Sequence, residues 1–466
     1  MTEIFIAPHI IEAQKEYAKK VKAILAEKYE NPKVFLRTFG CQQNEADTER
    51  LAGIAALCGY TLTENQEEAN LIIVNTCAIR EHAEKRALSG TGQFKKQKKE
   101  HPDTVIAVCG CMAQQQHRKD QIKNSYPYVD IVFGTDKNHL FAEMLYKTLT
   151  KQKRIYNVDL IPHDEFGVIA EDIPVLRGND YKAWVSIMYG CNNFCSYCVV
   201  PYVRGRERSR ESKDILAEIK SLVDMGYKDI TLLGQNVNSY RGDMDFPTLL
   251  EKAASFDGDY RVRFMTSHPK DASQKLIDVM RDNPEKIARH FHLPAQSGNN
   301  RILAAMNRKY TREKYLETVE KIKSAMPDIA LTTDIICGFP TETAEEFEDT
   351  VSLIKEVGYD MIYTFIYSSR PGTVAAKMDG HIPHDEQVRR FQKLSAVQDE
   401  ISAAKSTEYM GKTVKVLSEG NGEGRNSQNK IITLDRIIPA GEFVFAEITE
   451  TKAYGLKGKV INRKEI

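Results

Sequence analysis

The sequence predicts a multidomain α/β protein, with an N-terminal open parallel α/β domain, a central partial (β/α)6 barrel and a small C-terminal β-barrel. Three observations predict it. Two series of short apolar runs alternate with helical stretches, the pattern of parallel strands covered by helices. A polar stretch marked by Pro162 and Pro174 separates the two series. After a charged helix around 384–407, the closing stretch turns to short alternating strands with Gly-rich turns, which suit a small antiparallel barrel.

Residues 1–32 read as an amphipathic helix with a charged face, ended near Asn31 and Pro32 and packed on the domain that follows. In the first α/β domain, 33–150, the runs VFLRTFG, LIIVNT, TVIAVCG and DIVFGT read as buried strands, and stretches such as ADTERLAGIAALCGY as helices. Residues 151–180 read as an irregular linker. The second series, 181–407, has six strand candidates: KAWVSIMYG, DITLLGQ, RVRFMTS, HFHLPAQ, LTTDIICGF and MIYTFIYSS. Six strand–helix units fall short of a closed eight-fold barrel but suffice for an open one. Polar residues gather where these strands end, and barrels of this kind build their sites there. Residues 408–466 hold TVKVLSEG, GRNSQNKIITLDR, GEFVFAEITET and GLKGKVI, the strands of the last domain.

Bulk properties set the frame. At 466 residues the chain has room for about three domains. Its 42% hydrophobic and 28% charged residues are ordinary for a globular protein. No apolar run approaches the roughly 18 residues of a spanning helix, so no membrane is expected. The start, MTEIFIAPHIIEAQKEYAKK, lacks the basic-then-apolar layout of a secretory signal, and the expected compartment is the cytoplasm. Sixty-five basic side chains balance 65 acidic ones. That balance neither favours nor excludes nucleic acid, because one face can be basic on a neutral whole. The nine cysteines are clustered, and in a reducing compartment clustered thiols point to metal or catalysis rather than to disulfides.

The strongest motif is GCNNFCSYCVVP, which sets Cys191, Cys195 and Cys198 in a C-x3-C-x2-C spacing just after the first strand of the second series. Three thiolates in one loop can wrap a cubic iron–sulfur cluster. With three protein ligands, one iron keeps an open position, the arrangement of a metal that must act on something. A structural zinc site would want a fourth ligand, and no Cys or His lies nearby to supply one. Buried core cysteines are the other reading.

Upstream, Cys41 in FGCQQN, Cys77 in VNTC, and Cys109 and Cys111 in CGCMAQ each follow or end an expected strand of the first domain. In a parallel sheet those ends share one edge, so distant cysteines can converge there. A second three-thiolate cluster with its own open iron is one reading, and a set of buried core thiols is the other. Gly40 and Gly110 beside them favour the cluster, because glycine lets backbone approach a bulky group.

At the cysteine loop the sequence resembles the radical S-adenosylmethionine superfamily. The resemblance implies a cofactor that chelates the open iron and, on reduction, yields methionine and a 5′-deoxyadenosyl radical. It also implies an aromatic contact to adenine just before the last cysteine, the place of Tyr197. The blocks FGCQQNEADTER, NTCAIREHAEKR, GCMAQ, GCNNFCSYCVVPYVRGRERSR, LGQNVNSY, HLPAQSG and DIICGFPTET resemble, in order, those of the methylthiotransferase family. The final barrel resembles the TRAM domain, an RNA-binding barrel of such enzymes.

This resemblance covers nearly the whole chain from about residue 33. It implies two [4Fe-4S] clusters, held by Cys191, Cys195 and Cys198 and by Cys41, Cys77 and Cys111, with S-adenosyl-L-methionine as both radical source and methyl donor. The family pattern takes the second cysteine of CGC as ligand, leaving Cys109, with Cys58 and Cys337, as packing residues. LGQNVNSY resembles the branch acting on isopentenylated adenosine at tRNA position 37. The alternatives are action on threonylcarbamoyladenosine in tRNA or on a ribosomal protein, or a non-catalytic iron–sulfur scaffold that binds RNA.

Gln235, Gln296, Ser297 and Asp334, read as strand-end residues, are candidate cofactor contacts, or else loop hydrogen-bonding residues. Arg204, Arg206, Arg208 and Arg210, just after the cysteine loop, suit phosphate contacts, or else form a solvated face. Arg425, Lys430 and Arg436 are the candidate RNA contacts of the tail. The expected partners are the tRNA anticodon stem-loop, an electron donor such as a flavodoxin or ferredoxin, and the iron–sulfur assembly machinery. The chain is expected to act as a monomer.

Overall fold

The computed structural model describes residues 4–79, 81–151, 153–158 and 167–461. The chain forms two compact units. One comprises Met1–Gly178, Met188–Asn192 and Cys198–Arg210; the other comprises Asn179–Ile187, Asn193–Tyr197 and Glu211–Ile466.

The first unit is built on a six-stranded parallel sheet of order β2-β1-β3-β4-β5-β6. Its strands are β1 (Lys33–Phe39), β2 (Thr61–Leu62), β3 (Leu71–Thr76), β4 (Val105–Gly110), β5 (Ile131–Phe133) and β6 (Ile155–Asn157). Every residue of β3 and β4 is buried, as continuous apolar runs covered on both faces require. The helices are α1 (Pro8–Lys28), α2 (Gln42–Leu57), α3 (Glu81–Glu100), α4 (Gln116–Ser125) and α5 (Phe141–Lys151). Helix α1 buries Ile11, Ala18, Val21 and Leu25, the i, i+3, i+4 stripe of an amphipathic helix, and packs on α5 and α2.

The start of the stretch expected to be an irregular linker is instead the edge strand β6, which pairs with β5 from Ile131↔Ile155 to Phe133↔Asn157. Its three-residue length gives a sequence pattern too little periodicity to show. The rest of that stretch lies partly outside the described residues, at 152 and 159–166.

Two short strands, β8 (Met188–Tyr189) and β9 (Arg208–Ser209), pair antiparallel on either side of the cysteine loop. Helix α6 (Val200–Arg204) follows Cys198.

The second unit carries six parallel strands in two sheets, β11-β10-β7 and β12-β13-β14. They are β7 (Lys182–Ser186), β10 (Asp229–Leu233), β11 (Arg261–Phe264), β12 (His290–His292), β13 (Ala330–Cys337) and β14 (Met361–Ile366). The single parallel bridge Val262↔Ile287 links β11 to the chain entering β12, so the six strands make an open partial barrel.

Strands β15 (Thr413–Ser418), β16 (Glu423–Arg425), β17 (Ile431–Leu434), β18 (Phe443–Lys452) and β19 (Gly455–Ile461) close a five-stranded barrel around Val416, Ile432, Leu434, Ala446, Ile448, Leu456 and Val460. This small barrel is seated on the partial one. Arg261 donates to the Asn426 carbonyl at 3.0 Å, and Arg263 to the same oxygen at 2.9 Å. No helix among the described residues is long and apolar enough to cross a membrane.

Candidate metal centres

Sheet register brings the upstream cysteines together. Phe39 pairs with Thr76, and Thr76 pairs with Gly110, so β1, β3 and β4 end level. Cys77 and Cys111 are the next residues on their strands, and Cys41 lies one further on, at the N-cap of α2. All three thiols belong to the first unit, and Cys41 and Cys77 both act electrostatically on Cys111.

Gly110 makes the approach possible. It has φ +94°, and a Cβ there would stand 2.5 Å from the Thr76 carbonyl oxygen and 2.8 Å from its nitrogen. Asn44 secures the other side: its Nδ2 donates to Asn75 Oδ1 at 3.0 Å, and the Cys41 thiol donates to its Oδ1 at 3.3 Å.

Cys109 belongs elsewhere. One residue from the strand end, it lies fully buried in the apolar core with Val34, Leu51, Ile73 and Phe133. Cys111 packs instead with Ala78, Val199 and Val203. Cys58 and Cys337 are also buried.

The donor chemistry fits an iron–sulfur cluster. Burial pushes the Cys111 thiol up to about 12, partly offset by Arg204. The free thiol therefore stays protonated, and only a bound cation would hold it as thiolate. Among the described residues no trio of Cys, His, Asp or Glu closes around a single ion. The fit rests on three thiols at one edge, the number that holds a cubic cluster with one iron left open.

In the loop, Gly190 has φ +74°, and a Cβ there would strike the Arg206 carbonyl. Phe194 also takes a positive φ, +47°. The middle of the loop is held within the second unit. Ser196 N donates to the Met306 carbonyl at 3.0 Å, Ser196 Oγ to Ala305 O at 2.8 Å, and Asn307 Nδ2 to Phe194 O at 2.8 Å. Arg308 donates to Cys195 Sγ at 3.4 Å, to Tyr310 Oη at 2.9 Å and to Pro294 O at 3.0 Å. Tyr197 packs against Ile302, Met306, Ile336 and Phe339.

The barrel site has vacant hydrogen-bonding capacity. Gln235 Oε1, Asn236 Oδ1 and Ser267 Oγ are buried without a hydrogen-bond partner, just beyond the carboxyl ends of the neighbours β10 and β11. Buried polar atoms are rarely left unpaired, so three at adjacent strand ends suit a polar ligand such as S-adenosylmethionine.

Among the other candidates, Ser297 takes the loop-bonding alternative, and the strand-end placement of Asp334 is corrected. Ser297 is 1% exposed, and its hydroxyl meets Thr350 Oγ1 and the Asn299 N–H at 3.3 Å each, so it braces the loop. Asp334 sits mid-strand in β13 rather than at its end, 3.6 Å from His292 Nε2. Gln296, at φ +68°, bonds to β13 through its backbone.

Most of the arginine run is also corrected. Arg204, Arg208 and Arg210 are buried. Arg204 binds Asp47 and Cys111, Arg208 binds the Arg204 and Val168 carbonyls, and Arg210 grips Glu171 with both ends of its fork. These forks satisfy the interior of the first unit and are closed to phosphate. Arg206 is half-buried and remains a candidate.

In the tail, Lys430 is corrected in the same way: its side chain is 10% exposed and its Nζ lies 3.5 Å from Asp360. Arg425 pairs with Glu419 at 3.1 Å and keeps a third of its side chain exposed, while Arg436 is exposed.

Sequence reasoning missed Asp47, Arg308, His290 and His292. The histidines share one face of β12 and both meet Thr332 Oγ1 at 2.9 Å, and burial pushes His290 down to about 3. The period-two spacing of HFH was the available signal. For Asp47 it was the three-residue step from Asn44 on α2.

Residues 185–354 match the radical SAM superfamily, and residues 33–134 match the uncharacterized protein family UPF0004. The fold resembles that of a radical S-adenosylmethionine methyltransferase, TsrM, from Kitasatospora setae, with TM-score 0.55 at 12% identity over 74% of this chain and 75% of that one. Fold and cysteine loop together define a radical S-adenosylmethionine protein.

Its particular family follows from nearer relatives. The chain is 45% identical over 474 residues, covering 99% of both sequences, to a tRNA-2-methylthio-N(6)-dimethylallyladenosine synthase of Thermoanaerobacter sp. strain X514. It is 48% identical to the protein of that name from Clostridium perfringens strain ATCC 13124, over 91% of this chain and 97% of that one. The chain belongs to the tRNA-2-methylthio-N(6)-dimethylallyladenosine synthase family.

Proposed function

We propose that this chain converts N6-isopentenyladenosine at position 37 of tRNA to its 2-methylthio derivative, consuming one S-adenosylmethionine as radical source and one as methyl donor. When bound, two [4Fe-4S] clusters and S-adenosylmethionine supply the hydrogen-abstracting radical, the sulfur and the methyl group. C2 of adenine carries no leaving group, so acid–base chemistry alone gives no route to substitution there.

Cys191, Cys195 and Cys198 would hold one cluster. Cys41, Cys77 and Cys111 would hold the other. Gln235, Asn236 and Ser267 contribute polar contacts at the barrel mouth, with Tyr197 beside the cofactor. Arg206, Arg425 and Arg436 are the candidate contacts to the anticodon stem-loop. A splayed base in a single-stranded loop can enter a pocket without breaking a pair. The protein acts as a monomer in the cytoplasm, takes electrons from a flavodoxin or ferredoxin, and receives its clusters from the iron–sulfur assembly machinery.

The observation that carries this reading is the level ending of β1, β3 and β4, which gathers three cysteines from distant segments at one edge. A radical enzyme with a single cluster has no use for that second triad. Nucleoside mass spectrometry of tRNA from cells with and without the gene tests the reading. Loss of the methylthio nucleoside with accumulation of its isopentenyl precursor is expected. Loss of the methylthio group from threonylcarbamoyladenosine instead would overturn the substrate assignment.

A further inference from the structure

Arg204 is a buried guanidinium whose partners all belong to the first unit. Its Nε donates to Cys111 Sγ at 3.2 Å, and its Nη2 donates to Asp47 Oδ2 at 2.8 Å. Arg204 is 5% exposed and Asp47 is 4% exposed. Around the thiol lie Ala78, Val199 and Val203, apolar surroundings in which a charge acts more strongly than in water. A guanidinium keeps its charge at any ordinary pH, so a cation is fixed against the Cys111 sulfur.

We propose that Arg204 is a positioning residue for the Cys41–Cys77–Cys111 cluster: its N–H···S bond to Cys111 and its charge favour the reduced cluster, while Asp47 aims the guanidinium and limits that effect. The inference rests on the second-cluster reading above. Its physical basis is general, because net charge and hydrogen bonds to the ligating sulfurs set the potential of an iron–sulfur centre. Removing the cation should make reduction harder, and removing the neighbouring carboxylate should make it easier. A purely structural ion pair would not produce opposite shifts from its two halves.

The test uses the full chain with Cys191, Cys195 and Cys198 replaced by Ala, so that only the upstream cluster contributes signal. After anaerobic reconstitution, iron and sulfide are counted, and the cluster is titrated with dithionite while its reduced form is followed by electron paramagnetic resonance. Arg204→Gln should lower the ratio of reduced to oxidised cluster at a fixed poise by tenfold or more, about 59 mV for a one-electron couple. Arg204→Lys keeps the charge without the fork and should shift the ratio less. Asp47→Asn should shift it in the opposite direction.

If the triple-Ala background binds no iron, the second-cluster reading falls and the proposal with it. If that background binds iron but Arg204→Gln and Asp47→Asn leave the midpoint unchanged, or move it in the same direction, the proposal alone is overturned. Should Arg204→Gln fail to fold, Arg204→Lys and Asp47→Asn still decide the matter by the sign of their shifts.

Discussion

The two cysteine triads gather three thiols each by opposite routes. Cys191, Cys195 and Cys198 sit within eight residues of one loop, and local bonds from Ser196 and Asn307 shape its middle. Cys41, Cys77 and Cys111 span seventy-one residues and meet only because three parallel strands end level. Each triad has a glycine at positive φ directly before one cysteine, Gly190 before Cys191 and Gly110 before Cys111.

Each triad also has a buried arginine on one sulfur, but the charge balance differs. Arg204 is paired with Asp47, whereas Arg308 donates to Tyr310 Oη and Pro294 O, neither of which is a carboxylate. On the proposed assignment, a guanidinium bonded to a phenol and a carbonyl, with no carboxylate in those two bonds, suits the centre that takes up an electron. The sheet site balances its cation. The difference suits one centre that is reduced to cleave a cofactor and another that handles sulfur.

The largest test of this division compares two variants. Cys191→Ala should abolish both 5′-deoxyadenosine and methylthiolated tRNA. Cys111→Ala should still release 5′-deoxyadenosine while making no methylthio product. Both are measured in one anaerobic assay by chromatography and nucleoside mass spectrometry. A Cys111→Ala enzyme that still methylthiolates would end the assigned role of the sheet triad.

The glycines sharpen the comparison further. Gly110→Ala should cost about 1–3 kcal/mol from backbone strain alone, before any overlap with Thr76. Because the strain falls beside Cys111, iron after reconstitution should drop towards half while the loop cluster survives. Gly190→Ala should produce the complementary loss at the loop. Iron and sulfide analysis with chemical denaturation reads both effects, and equal retention of both clusters in either variant would refute the link.

A smaller effect separates ligand from neighbour. Cys109→Ala should keep substantial methylthiolation and cost about 1 kcal/mol, the loss of a small buried group from a packed core. A thermally stable but inactive Cys109→Ala would mean that the wrong cysteine of CGC has been assigned.

The smallest expected effect lies far from either triad. Arg436→Ala should reduce the salt dependence of tRNA binding by about one phosphate contact and leave cofactor cleavage intact. Binding isotherms at several salt concentrations measure it, and an unchanged slope would remove Arg436 from the interface. The point substitution is cleaner than deleting the tail, because deletion would take the Asn426 carbonyl away from buried Arg261 and Arg263.

The sequence by itself determined the loop triad, the two α/β series and the closing barrel. A contiguous motif carries its own geometry, and apolar runs of strand length reveal a buried parallel sheet wherever they fall. It could place Cys41, Cys77 and Cys111 at strand ends, but whether those ends coincide is a matter of register, which long-range pairing sets. The same limit hid β6, three residues long on the sheet edge. The arginine run shows the clearest gap. Four arginines in VRGRERSR read as a basic surface, yet three of them turn inward to Asp47, Glu171 and main-chain carbonyls. Charge along a chain says nothing of direction, because a buried cation is stable only when the fold brings an acceptor to it. Asp47 lies 157 residues from Arg204 in sequence, and only the tertiary structure sets them 2.8 Å apart.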